Sequence, residues 1–170
     1  MNGMTHRNAG MLLAATLLTL STDVQAQPKQ EGPTPRIEGT YKLVSRHMAD
    51  GTIVKAPDVM GMVTYTKDHR NFNVIWKDAA GKFFSYSLVS TYKLSATEYT
   101  ETILFSIMND QIGGKEIAYD LSGPTKKEPV SVKDGKITFK LPFDPVTGTF
   151  ETDKFEATGA GFTDYWEKVK

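Results

Sequence analysis

The residues best suited to chemistry in this chain sit on one side of alternating segments. Glu101 lies in Tyr99-Thr100-Glu101-Thr102-Ile103, where a period of two places it on the face of Tyr99, Ile103 and Phe105. A carboxylate on an apolar face is costly unless it is paired. Glu101 is therefore a candidate for orienting a ligand or for acting as a general acid or base. The plainer reading, a carboxylate in water at a rim or paired with Lys or Arg, is preferred. His47 shares a face with Tyr41, Leu43 and Ser45 and is a candidate proton carrier or ligand donor. A histidine at a strand end is more often a surface residue, and that reading is preferred. Tyr41, Tyr65, Tyr86, Tyr92 and Tyr99, with Trp76, supply aromatic area that ends in a polar handle. Several such hydroxyls on one interior suggest a wet cavity or a ligand with polar groups. The alternative is a core whose tyrosines bond to one another, to backbone or to trapped water.

Other chemistries lack their residues. With no cysteine there is no disulfide framework, thiolate nucleophile or cysteine metal site. The three histidines, His6, His47 and His69, form no His-X-His or His-Glu-X-X-His pattern. There is no Asp-X-Asp-X-Asp loop, no Gly-X-Ser-X-Gly elbow and no glycine-rich phosphate loop. No metal and no cofactor are expected. Twenty Lys+Arg against twenty Asp+Glu give zero formal charge, without the basic surplus that nucleic acid binding needs.

The elements that must position these residues read as strands. From Gly39 onward the apolar pattern has period two, not 3.6. Strands are expected over 39–47, 62–66, 72–77, 83–94, 98–108, 116–121, 130–133, 136–141, 149–157 (short and irregular) and 162–169. Lys67-Asp68-His69-Arg70 is expected as a hairpin turn and 123–129 as a polar loop. Asp134-Gly135 is the strongest hairpin signal. The inner face should carry Val63 and Tyr65; Phe72, Val74 and Trp76; Phe84, Tyr86, Leu88 and Tyr92; Tyr99, Ile103 and Phe105. About nine or ten short strands with hairpin-length links imply an antiparallel meander, which can close into an up-and-down barrel. An open Greek-key sandwich is the main alternative.

Gly39-Thr40-Tyr41-Lys42-Leu43-Val44-Ser45 resembles the opening strand of lipocalin-like proteins, where a Gly-X-Trp motif starts the barrel; Tyr41 stands where the tryptophan would be. Met62-Val63-Thr64-Tyr65-Thr66-Lys67-Asp68 looks like the second strand and turn of small secreted relatives. Thr91-Tyr92-Lys93-Leu94 with Glu98-Tyr99-Thr100-Glu101 looks like their central hairpin, and Asp164-Tyr165-Trp166-Glu167-Lys168-Val169 like their last strand. The resemblance implies an all-β, lipocalin-like barrel with Tyr41 pointing inward. It carries no catalytic residues.

Residues 1–26 run from a polar start with His6 and Arg7, through a Leu- and Ala-rich stretch, to Val24-Gln25-Ala26. That order reads as a signal peptide cleaved before Gln27. Its apolar run is shorter than the roughly 20 residues a bilayer requires. Residues 27–37, with three prolines and a glycine, read as a flexible leader, and 38–170 as the barrel domain. A periplasmic or secreted protein without a transmembrane segment is expected, holding a small apolar or aromatic molecule in the barrel. The alternatives are a non-enzymatic interaction module with a filled barrel and, behind it, a barrel enzyme using Glu101.

Overall fold

A computed structural model describes Met1 and residues 35–170. The expected signal peptide and residues 27–34 of the leader lie outside the described residues. Thirteen strands follow one another: β1 (Gly39–Met48), β2 (Ile53–Val54), β3 (Val59–Tyr65), β4 (His69–Lys77), β5 (Phe83–Leu94), β6 (Glu98–Asp110), β7 (Ala118–Asp120), β8 (Thr125–Pro129), β9 (Ser131–Lys133), β10 (Lys136–Lys140), β11 (Thr147–Phe150), β12 (Lys154–Thr158) and β13 (Phe162–Lys168). Among the described residues no helix is long and apolar enough to cross a membrane.

The strands form one antiparallel sheet in the order β7-β6-β5-β4-β3-β1-β13-β12-β11-β10-β9, with β2 on β1 and β8 on β6. Two meanders are thus joined where the first long strand pairs with the last. The ladder does not close, but the chain bridges its ends: β8 pairs with β6, and Val130 leads directly into β9, which pairs with β10. Side chains also meet there, with Tyr99 of β6 stacked on Phe139 of β10 at 4.3 Å.

Alternation explains the long strands. In β5, Tyr86, Leu88, Ser90 and Tyr92 are buried and their neighbours are not. Asp134-Gly135 makes the expected tight turn between β9 and β10, with both residues at positive φ (52° and 76°). Other boundaries moved. Arg70 is in strand β4, not in a turn, and 125–129 is strand β8, not a loop. The 149–157 segment splits into β11 and β12 around Glu151–Asp153. These differences, with the two-residue β2, turn the ten expected strands into the thirteen seen among the described residues. Short polar strands such as Thr-Lys-Lys-Glu-Pro exist because an edge offers them a ladder, which their own pattern does not announce.

Two bulges reset the faces. Val44 has no ladder partner between Leu43↔Trp166 and Ser45↔Tyr165. Beyond it Arg46 turns inward opposite Asp164, while His47 stacks outside on Tyr165 at 4.5 Å. His47 is therefore not on the inner face as expected. Likewise Leu104 is the extra residue between Ser90↔Ile103 and Val89↔Phe105. It leaves Phe105 exposed and buries Ser106. A bulge of one residue exchanges the two faces of everything beyond it.

Candidate functional site

The inner face carries a charge network around Arg70. Period two from Phe72, Val74 and Trp76 places Arg70 on their side of β4, and it is 1 % exposed. Its Nη1 donates to Glu101 Oε1 at 3.1 Å, and its Nη2 donates to Asp144 Oδ2 at 2.5 Å. Ser90 Oγ donates to the same Glu101 oxygen at 2.6 Å. Glu101 is fully buried, so it is the paired carboxylate of the preferred reading, not one in water. One guanidinium thus serves two carboxyl groups, and it lies over the Phe72 ring at 4.8 Å.

A second buried pair stands on β1 and β13. Arg46 Nε and Nη2 donate to the two oxygens of Asp164 at 2.7 and 2.8 Å, a bidentate fork. The same guanidinium lies over the Trp76 and Phe162 rings, at 4.4 and 4.3 Å from their centres. Both contacts are within the range of a favourable cation–π interaction.

A row of aromatic rings runs through the interior. Tyr92, Tyr99, Phe139, Phe150, Phe155 and Trp166 stack in sequence, each ring centre 4.3 to 5.6 Å from the next. Tyr41 packs edge-on to Phe150 and Phe155. Its hydroxyl donates to the carbonyl of Ile37 at 3.0 Å. Ile37 is 2 % exposed, so the end of the expected flexible leader is packed into the core. Phe155 and Trp166, at the end of the aromatic row, line a cavity of about 340 Å³. Phe72, Val74, Trp76, Phe84, Tyr86, Met108, Phe155, Phe162 and Trp166 give it apolar walls, with Tyr65 and both arginines among them. The β10–β11 loop contributes Leu141, Phe143, Asp144, Pro145 and Val146; Pro145 is exposed, so the wall reaches the surface there.

Five buried polar atoms have no partner among the described residues: Tyr65 Oη, Arg70 Nε, Tyr99 Oη, Glu101 Oε2 and Trp166 Nε1. Most buried polar groups are hydrogen bonded, so each exception calls for an explanation. Burial pushes the Tyr65 and Tyr99 phenols well up from their ordinary value. Both hydroxyls therefore keep their protons.

The structure divides the expected site residues. Tyr65, Trp76 and Tyr86 line the cavity together. Tyr41, Tyr92 and Tyr99 are buried and do not line it; Tyr92 donates to the Thr66 carbonyl. Glu101 reaches the cavity only through Arg70, and His47 is outside. Sequence reasoning missed Arg46, Arg70, Asp144 and Asp164. Arg70 had a usable signal, the alternation from Trp76 continued backwards. Arg46 had none, because Val44 breaks the alternation before it. Asp144 is held by a loop, where no periodicity exists.

Comparison with protein-family models, curated proteins and solved structures gives no match.

Proposed function

We propose that this is an exported lipocalin-like protein whose sheet works as a barrel and binds a small hydrophobic or aromatic molecule inside it. One observation carries this reading: a cavity of about 340 Å³ walled by aromatic and aliphatic side chains, with a few charged groups at its margins. Binding sites for small molecules have this composition, and volumes of roughly 300–1,000 Å³ are usual. The barrel reading is supported by the β1–β13 ladder, by the chain passing from β6's partner β8 to β10's partner β9, and by the Tyr99–Phe139 stack. Export to the periplasm or the outside is supported by the order of residues 1–26. A proton-transfer role for Glu101 has no comparable support, since Arg70 and Ser90 occupy its Oε1 and it does not line the cavity.

Native mass spectrometry tests the reading on protein made with its own N-terminal segment and purified gently. A discrete mass that departs on denaturation is expected, and its fragments should be apolar or aromatic. A bare polypeptide that also takes up no aromatic probe overturns the proposal.

A further inference from the structure

The sheet ends on β7, and among the described residues β7 pairs only with β6. Its other side presents backbone N–H and C=O groups without a ladder, the kind of edge that templates pairing with another chain. The chain there reads Ile117-Ala118-Tyr119-Asp120-Leu121, with a large apolar residue at every second position. Ile117, Tyr119 and Leu121 are 53, 69 and 79 % exposed. Tyr119 stands opposite Ile107 of β6, and Ile107 and Phe105 are exposed as well. A cluster of large apolar side chains beside an open edge marks an interaction site. The other terminal strand is guarded differently. Lys133 of β9 stands opposite Lys136 of β10, and lysines protect an edge from pairing. β7 carries no lysine.

The partner that fits this edge is a second copy of the chain. Two β7 strands can pair antiparallel about a two-fold axis, and a slip of one residue exchanges the faces. Matching faces therefore require the axis to meet a residue, and β7 offers three. Centred on Ala118, the pairing sets Glu116 opposite Asp120; centred on Asp120, it sets two copies of Asp120 opposite each other. Like charges directly opposite are destabilising. Centred on Tyr119, Asp120 faces Ala118 and Glu116 faces Ser122, so no two charges stand opposite. The same register sets Ile117 opposite Leu121 of the second copy and brings the two Tyr119 side chains together. Charge and apolar pattern thus select one register. Asp120 is also engaged within its own chain, since the Ser122 backbone N–H and Oγ donate to its Oδ1 at 2.8 and 2.6 Å.

We propose that the protein forms a two-fold dimer in which two β7 edges pair antiparallel about Tyr119, so that one sheet continues into the next. Sedimentation velocity on protein made with its own N-terminal segment tests it. A species of twice the chain mass is expected at about 100 µM, a concentration that populates any complex of that affinity or tighter. Tyr119→Lys and Leu121→Lys should each leave a monomer with an unchanged far-ultraviolet circular dichroism spectrum, because both side chains are exposed and lysine protects an edge. The chain has no cysteine, so a single introduced thiol reports the register. Tyr119→Cys places two thiols directly opposite, with Cα atoms about 4.5–5.5 Å apart, within disulfide reach. Ala118→Cys places them on a diagonal roughly 7–8 Å apart, beyond it. Mild oxidation should therefore cross-link the first variant and not the second, which decides the matter even where a lysine variant unfolds. A wild-type monomer at that concentration, a dimer that survives both lysine changes, or equal cross-linking of the two cysteine variants overturns the proposal.

Discussion

Arg46 and Asp164 face each other as a buried, bidentate pair across β1 and β13 because Val44 has no partner in that ladder. Remove the bulge and the two side chains no longer share a face. The pair is costly to break, because either partner alone is a buried, uncompensated charge. Asp164→Asn should lower unfolding stability by about 3–5 kcal/mol, read as a shift of the urea midpoint. A double change of Arg46→Met with Asp164→Leu should recover most of that loss. If the double variant is no more stable than Asp164→Asn, packing rather than charge compensation dominates here.

The Arg70 network is asymmetric, and mutagenesis should expose it. Arg70→Met leaves Glu101 and Asp144 both buried without their cation, and a loss of about 3–5 kcal/mol or more is expected. Glu101→Gln keeps the shape and leaves Arg70 its bond to Asp144, so about 1–3 kcal/mol is expected. Equal losses in chemical denaturation would contradict the shared-guanidinium arrangement.

Gly61 faces inward on β3 beneath the Trp166 indole. A Cβ there would stand 2.6 Å from the Trp166 ring, too close for any real contact. Gly61→Ala should push that ring off its stack on Phe155 and cost about 1–3 kcal/mol, the usual range for overpacking. Near-ultraviolet circular dichroism should change along with the denaturation midpoint. An unchanged spectrum at unchanged stability would show that the indole has room to move.

Burial raises the phenols of Tyr41, Tyr65, Tyr86, Tyr92 and Tyr99, with Tyr41 pushed up to about 12. Above the ordinary tyrosine value the unfolded chain holds fewer protons than the folded one. The stability these groups contribute is complete below about pH 10. It is then lost as pH rises towards the folded values, by up to roughly 1.4 kcal/mol per pH unit for each such phenol. Phenolate absorbance should therefore rise in two stages, the second coinciding with unfolding. Titration of all seven tyrosines in one step near the ordinary value would refute this burial.

The all-β class and much of the interior were legible in the alternation of residues alone. Alternation in β4, β5 and the first half of β6 placed Val74, Trp76, Tyr86, Leu88, Tyr92, Tyr99, Glu101 and Ile103 on one face, and Asp134-Gly135 fixed a turn. Period two is a local property, so it is legible wherever the strand is regular. Tertiary structure alone decided where that regularity breaks. Nothing in Leu43-Val44-Ser45 announces a bulge; the need to pair with β13 creates it, exchanging His47 for Arg46 on the inner face. Nor does a polar run such as 125–129 become a strand until the β6 edge offers a ladder. Which aromatic side chains line the cavity and which are packed away from it depends on how strands from both ends of the sheet meet. Tyr99 of β6 meets Phe139 of β10 although the two strands are not paired with each other, whereas Phe155 and Trp166 meet as direct partners in the β12–β13 ladder. Side-chain facing is set residue by residue, whereas space is left over by packing among elements that local sequence does not bring together.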